Sequence, residues 1–295
     1  MSKLTFLERL NAGQTLVADG ATGTNLLARG LPTGITAEDW VLEQPEKIIA
    51  LHRDFVAAGA DILLTSTFSA TPLRLAGTPL AGRAAEINRT ALGLARQAAQ
   101  GTAVLIAGSL GPVGQLLKPY GPVEPQAAAD AYAEQAQALS EAGADLLVIE
   151  TQFDLSEAKA AIQGVRRVST LPLVCSFSYD RGRRTMMGVS PAQVGRELSS
   201  LGVDALGINC GRSLDENVGN LHELRQATSL PIWFKPNAGL PKLDAHGNTT
   251  YDVTPEAMAA HTVEWLVAGA RVVGGCCGTS PEHLRQIALA AKPQA

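Results

Sequence analysis

The chain has 295 residues, 46% of them hydrophobic, with 24 Lys plus Arg against 28 Asp plus Glu and a net charge of −4. That apolar content allows a large buried core, and a near-balanced charge without a basic arm or stripe argues against nucleic acid as a partner. Met1 to Leu10 carry no apolar stretch with a cleavage signal, and no run of 18 apolar residues occurs, so a cytoplasmic protein that stays out of membranes is expected.

Short apolar or β-branched runs recur along the chain, each following an amphipathic helical stretch. In order they are Thr15 to Ala18, Asp61 to Leu64, Ala103 to Ala107, Asp145 to Ile149, Leu173 to Phe177, Ala205 to Ile208, Pro231 to Phe234 and Arg271 to Val273. Continuous apolar runs of this kind suit strands buried on both faces, as in a parallel sheet covered by helices. Four approaches to strands resemble one another: Ala58-Gly59-Ala60-Asp61, Ala142-Gly143-Ala144-Asp145, Leu201-Gly202-Val203-Asp204 and Ala268-Gly269-Ala270-Arg271. The glycine ends the helix each time. Eight such units predict an α/β fold, a closed (β/α)8 TIM barrel forming a single domain over residues 1–295, in preference to a doubly wound sheet. Leu110 to Pro125 and Asn237 to Thr254, rich in Gly, Pro and polar residues, read as long loops over the active face.

Catalytic groups in such a barrel stand where strands end at their C-terminal side. The first run ends in Asp19-Gly20-Ala21-Thr22-Gly23-Thr24, the fourth in Glu150-Thr151, the sixth in Asn209-Cys210-Gly211 and the eighth in Gly274-Gly275-Cys276-Cys277-Gly278. Three of the four cysteines therefore fall at strand ends, and the fourth, Cys175, lies inside the fifth run as core packing. Strands six and eight have one neighbour between them, so their ends lie roughly 10 Å apart and inward-leaning side chains can close the gap. Cys210, Cys276 and Cys277 converging on one point form a zinc site with one position open, the catalytic arrangement, and the flanking glycines permit a turn that aims the adjacent pair at one metal. The competing reading is buried, inert thiols or a vicinal disulfide. An open, sulfur-rich Zn2+ site deprotonates a bound thiol, whose free pKa is about 8.5, and so favours alkyl transfer to sulfur over hydrolysis. Asp19 and Glu150 can meet a substrate ammonium, the alternative being salt bridging or helix capping at the barrel mouth. The turn from Gly20 to Thr24 precedes a helix and is a candidate cradle for a carboxylate.

At these residues the chain resembles the homocysteine S-methyltransferase family, in particular homocysteine-binding modules of the cobalamin-dependent methionine synthase kind. The likeness runs from Asp19 to His283 through DGATGT from Asp19, TSTF from Thr65, GSLGP from Gly108, ETQFD from Glu150, GINC from Gly207, KPNAG from Lys235 and GGCCGT from Gly274. Ser66, where family members often have Asn, and Leu110 in GSLGP depart from the pattern. The resemblance implies that Cys210, Cys276 and Cys277 hold zinc, that homocysteine sulfur takes the fourth position, and that methyl transfer gives methionine. It also implies substrate contacts from Asp19, Gly20, Ala21, Glu150 and Asn209, with the backbone oxygen of Asn237 meeting the metal when substrate is absent. Asp244-Ala245-His246 has Thr249 where a cobalamin-ligating motif has glycine, and reads as a loop. The methyl donor is therefore expected on a separate corrinoid protein, which the resemblance favours, or as a small molecule such as S-methylmethionine or betaine. Methylation of a different small thiol, and a non-catalytic thiol- or zinc-binding subunit of a larger methyltransferase system, are the alternative functions.

Overall fold

The computed structural model describes residues 4–243 and 249–292, so the Asp244-Ala245-His246 loop reading lies outside the described residues. All eight apolar runs form strands: β1 (Leu16–Val17), β2 (Ile62–Leu64), β3 (Leu105–Leu110), β4 (Leu146–Gln152), β5 (Leu173–Phe177), β6 (Ala205–Cys210), β7 (Ile232–Pro236) and β10 (Ala270–Val273). Between the last two, β8 (Lys242–Leu243) and β9 (Thr249–Thr250) pair antiparallel within the long loop after β7. The eight run in the order β1-β10-β7-β6-β5-β4-β3-β2, with every ladder parallel. A bridge between Ala18 and Ile62 joins the two ends, so the sheet closes into the expected TIM barrel of one domain. Among the described residues no helix is long and apolar enough to cross a membrane.

The repeated strand approach is a working part of the barrel. Gly59, Gly143, Gly202 and Gly269 all adopt positive φ, between 82° and 103°, where a glycine leaves a helix without steric cost. The aspartates that follow reach sideways: Asp61 accepts from the Val17 N–H at 2.8 Å, Asp145 from Ile106 at 2.6 Å and Asp204 from Leu173 at 2.8 Å. Each is paired with an arginine, respectively Arg9, Arg96 and Arg166. These carboxylates satisfy the first free N–H of a neighbouring strand and set its register. At the other ends of the helices, Pro45, Pro125, Pro191, Pro255 and Pro281 open helices at the first turn, where a missing N–H costs nothing.

Alternation along the strands divides the core in two. Leu16, Ala18, Ile62, Leu64, Leu105, Ala107, Leu146, Val148, Val174, Ala205, Trp233 and Val272 fill the barrel interior, with Phe6 from the N-terminal helix Phe6–Asn11 packed against them. The other set packs outward against the helices. Gly207 makes room for Trp233, since a Cβ there would stand 2.7 Å from the Trp233 carbonyl and 2.9 Å from its Cβ. One step further up each strand the interior turns polar, and that layer is the floor of the site.

Candidate active site and metal centre

The period of two that sends Leu105 and Ala107 inward sends Ser109 inward next; likewise Glu150 follows Leu146 and Val148, Ser176 follows Val174, Asn209 follows Ala205 and Gly207, and Lys235 follows Trp233. These residues lie inside β3 to β7, of which β3, β4, β6 and β7 run two or three residues beyond the apolar runs, and not in loops after them. Ladder hydrogen bonds use the backbone, so pairing continues where the side chains become polar.

Cys210 is the residue after inward-facing Asn209, and plain alternation would turn it away. Its φ of 57° breaks the alternation, an uncommon conformation for a residue with a Cβ and one that costs about 1–3 kcal/mol. Its carbonyl is held by the Asn217 side chain at 2.7 Å and the Asn237 N–H at 3.2 Å. Cys276 and Cys277 follow β10 on a turn pinned from both sides: the Cys276 N–H donates to Pro236, and the Cys277 carbonyl accepts from Ala238. Of the three flanking glycines only Gly278 has positive φ, at 82°. Gly274 and Gly275 supply space, because a Cβ would stand 2.6 Å from the Ala18 carbonyl or 2.4 Å from Thr279. The long loop after β7 secures this turn, since Val253 donates to Ala238 and the His283 ring meets the Val253 carbonyl at 2.9 Å.

The three sulfurs all lie within 4.8 Å of one another, with Cys210 and Cys276 3.0 Å apart. A tetrahedral zinc with Zn–S bonds of about 2.3 Å sets its sulfurs about 3.8 Å apart, so the triangle fits such an ion with small adjustments. The Asn209 amide points an N–H at Cys210 sulfur, 3.4 Å away, as a donor to thiolate ligands does. Hydrogen bonds from Cys210 and Cys276 hold the Cys277 thiol below the usual range, while the same contacts and burial push Cys210 well above it. A divalent cation held here would supply the charge that removes the remaining protons. Cys175 is buried inside β5, as expected, and burial alone pushes its thiol above the usual range.

Beside the sulfurs lies a cavity of about 480 Å³. Its inner end carries Asp19, Glu150 and Lys235 with the cysteines, and its outer end is apolar, with Leu27, Leu31, Ile35 and Phe68. Glu150 accepts from the Ser109 hydroxyl, and burial, opposed by Lys235, holds its carboxyl up at about 7. Asp19 is buried and already engaged: one carboxylate oxygen takes Lys235 Nζ at 2.7 Å and the other takes the Leu64 N–H at 2.8 Å. Gly20 and Ala21 line the cavity, but the Ala21 N–H donates to Thr279. Asn209 is buried with its amide committed to Thr151, Ser176 and the sulfurs, so it stands behind the site and shapes it. Asn237 lies next to the metal turn, its side chain donating to Gly211 at 2.9 Å. The sequence assigned no site role to Lys235, Ser109 or Ser66, the last a buried cavity-lining hydroxyl without a hydrogen-bond partner among the described residues. Inward alternation from Trp233 and from Ala107 was the signal for the first two.

A TIM barrel that gathers three cysteines at one end of a closed sheet, beside acidic groups in a cavity, defines an enzyme-like class with a sulfur cluster that could hold a metal ion. The homocysteine S-methyltransferase family model matches residues 16–291, and the chain belongs to that family. Methionine synthase of Mycobacterium tuberculosis is 32% identical over 94% of this chain, and that of Mycobacterium leprae 31% over 95%; the chain spans about a quarter of the length of either relative, 24%. The metallated form of the homocysteine methyltransferase MmuM from Escherichia coli superposes with a TM-score of 0.81 and 29% identity, covering 95% of this chain and 98% of that one.

Proposed function

We propose that residues 1–295 work as one zinc-dependent module that transfers a methyl group to the thiol of homocysteine, giving methionine. The observation that carries this is the convergence of Cys210, Cys276 and Cys277 sulfur at the inner, charged end of a cavity with an apolar outer end. Family membership and the full-length match to an E. coli protein named as a homocysteine methyltransferase support it. Zinc held by the three cysteines would keep the acceptor sulfur as a thiolate at neutral pH. The chain's own residues do the rest. Glu150 receives the substrate ammonium, its carboxyl placed by Ser109; Asp19, Gly20 and Ala21 wall the same end; and Asn209 orients the ligand sulfurs. The apolar outer wall excludes water from the reacting sulfur and leaves room for the donor. The cytoplasm, which keeps thiols reduced, suits three free cysteines.

The methyl donor is a corrinoid group on a separate protein, or a small molecule such as S-methylmethionine or betaine. The resemblance of the motifs to cobalamin-dependent homocysteine-binding modules favours the first. Offering the zinc-loaded chain homocysteine with methylcobalamin, S-methylmethionine and betaine in turn, and measuring methionine, tests the proposal. Methionine from one of them is the expected result. Tight homocysteine binding with no product from any donor would make the chain a binding subunit, and failure to bind homocysteine would end the reading altogether.

A further inference from the structure

We infer that Lys235 binds the carboxylate of the acceptor amino acid and so sets the specificity of the pocket. The inference rests on the proposal that the acceptor is homocysteine. Lys235 is buried, faces inward one step above Trp233, and lines the cavity. Among the described lining residues it is the only cation, against Asp19, Glu38 and Glu150. An ammonium has three N–H donors and no acceptor. Among the described residues Lys235 uses one of them, on Asp19, so a buried cation is left with two donors to fill. A desolvated donor without a partner is costly, and a ligand oxygen removes that cost.

The neighbouring groups favour a carboxylate at this point. Lys235 Nζ forms a buried salt bridge of 2.7 Å with Asp19, the contact an ammonium makes with a carboxylate. Asp19 is tied at both oxygens, to Lys235 and to Leu64, and therefore acts as the fixed counter-ion that aims the lysine. That leaves Glu150 to receive the ammonium. Glu150 on β4 and Lys235 on β7 line the same cavity beside the cysteines. They present one negative and one positive charge to a molecule that carries both on a single carbon. In the turn after β1, the other candidate for the carboxylate, one N–H, that of Ala21, is already engaged by Thr279.

The test uses three thiols binding to the zinc-loaded full chain, followed by calorimetry: homocysteine, 3-aminopropanethiol, which lacks only the carboxylate, and 4-mercaptobutyrate, which lacks only the amino group. The wild type should prefer homocysteine to 3-aminopropanethiol by about ten- to a hundredfold, the worth of a charge-assisted hydrogen bond. The double variant Lys235→Met/Asp19→Asn removes both charges of the salt bridge, so neither of its members is left buried opposite a missing partner. It should lose that preference, keep its preference for homocysteine over 4-mercaptobutyrate, and keep its zinc. A double variant that still prefers homocysteine to 3-aminopropanethiol overturns the inference. Should the variant not fold, homocysteine methyl ester decides on the wild type: undiminished affinity for the ester overturns the inference, and a loss of about tenfold or more upholds it. A wild type that binds none of the three thiols refutes the homocysteine reading itself, a result distinct from either of these.

Discussion

Changing Glu150 to Gln keeps the shape of the side chain and its bond from Ser109, and removes only the charge. Two consequences follow from where the residue sits. A charge-assisted hydrogen bond to the substrate ammonium is worth about 1.5–3 kcal/mol net, so homocysteine affinity should fall roughly ten- to a hundredfold. The second concerns pH. Burial holds the Glu150 carboxyl up at about 7, so it is largely protonated below that pH and must lose its proton to receive the ammonium. Wild-type affinity should therefore drop about tenfold per unit below pH 7 for Glu150, in addition to about tenfold per unit for the thiol proton. The Glu150→Gln variant should show the thiol slope alone. Calorimetric titration of the zinc-loaded proteins between about pH 6 and 8 reads both effects. 4-Mercaptobutyrate has no ammonium, so the substitution should leave its affinity unchanged. Equal weakening of both thiols, or loss of zinc from the variant, would show that Glu150 serves the metal or the barrel wall instead.

Three further outcomes are expected. Cys277→Ala should abolish tight zinc binding, measured by metal analysis after dialysis, while the circular dichroism of the barrel is retained; a metal-free wild type with full activity would refute the site. At pH 8, where Glu150 is already ionised, homocysteine binding should release close to one proton, seen by calorimetry in buffers of different ionisation heat, and homoserine should bind poorly. His52, buried on the helix Pro45–Ala57 with neither ring nitrogen partnered among the described residues, is pulled by burial from 6.5 to about 4. The unfolded chain then takes up the proton first, so stability present above about pH 6.5 is lost as pH falls toward 4, on the order of 3 kcal/mol, and His52→Leu should flatten that loss in denaturant titrations.

Periodicity and punctuation made the barrel legible. Eight apolar runs became eight strands, and the glycines at 59, 143, 202 and 269 end their helices at positive φ. The cysteines were legible for the same reason, since strand order alone brings β6 and β10 to either side of β7. The aspartates of the repeated approach were visible as a pattern, but their task was not, because the N–H each accepts belongs to another strand. The predicted ends of β3, β4, β6 and β7 fell short by two or three residues, because the apolar signal stops where the interior becomes polar while the ladder continues.

What stayed hidden was the state of the groups once assembled. Asp19 reads in the sequence as a free carboxylate at a strand end, yet its partner Lys235 lies 216 residues away and arrives only when β1 and β7 flank β10. Cys210 sits at a position that strand alternation sends outward, and only a φ of 57° brings its sulfur to the others. Both follow from closure of the barrel. A closed sheet forces inward side chains from distant segments into one small polar layer, where each charge must find a partner or a ligand. In this layer Asp19 forms a salt bridge with Lys235, whereas among the described residues Glu150 is hydrogen-bonded to a serine hydroxyl and forms no salt bridge. Burial drives this carboxyl toward neutrality despite the charge of Lys235, and it therefore gains most from a substrate ammonium.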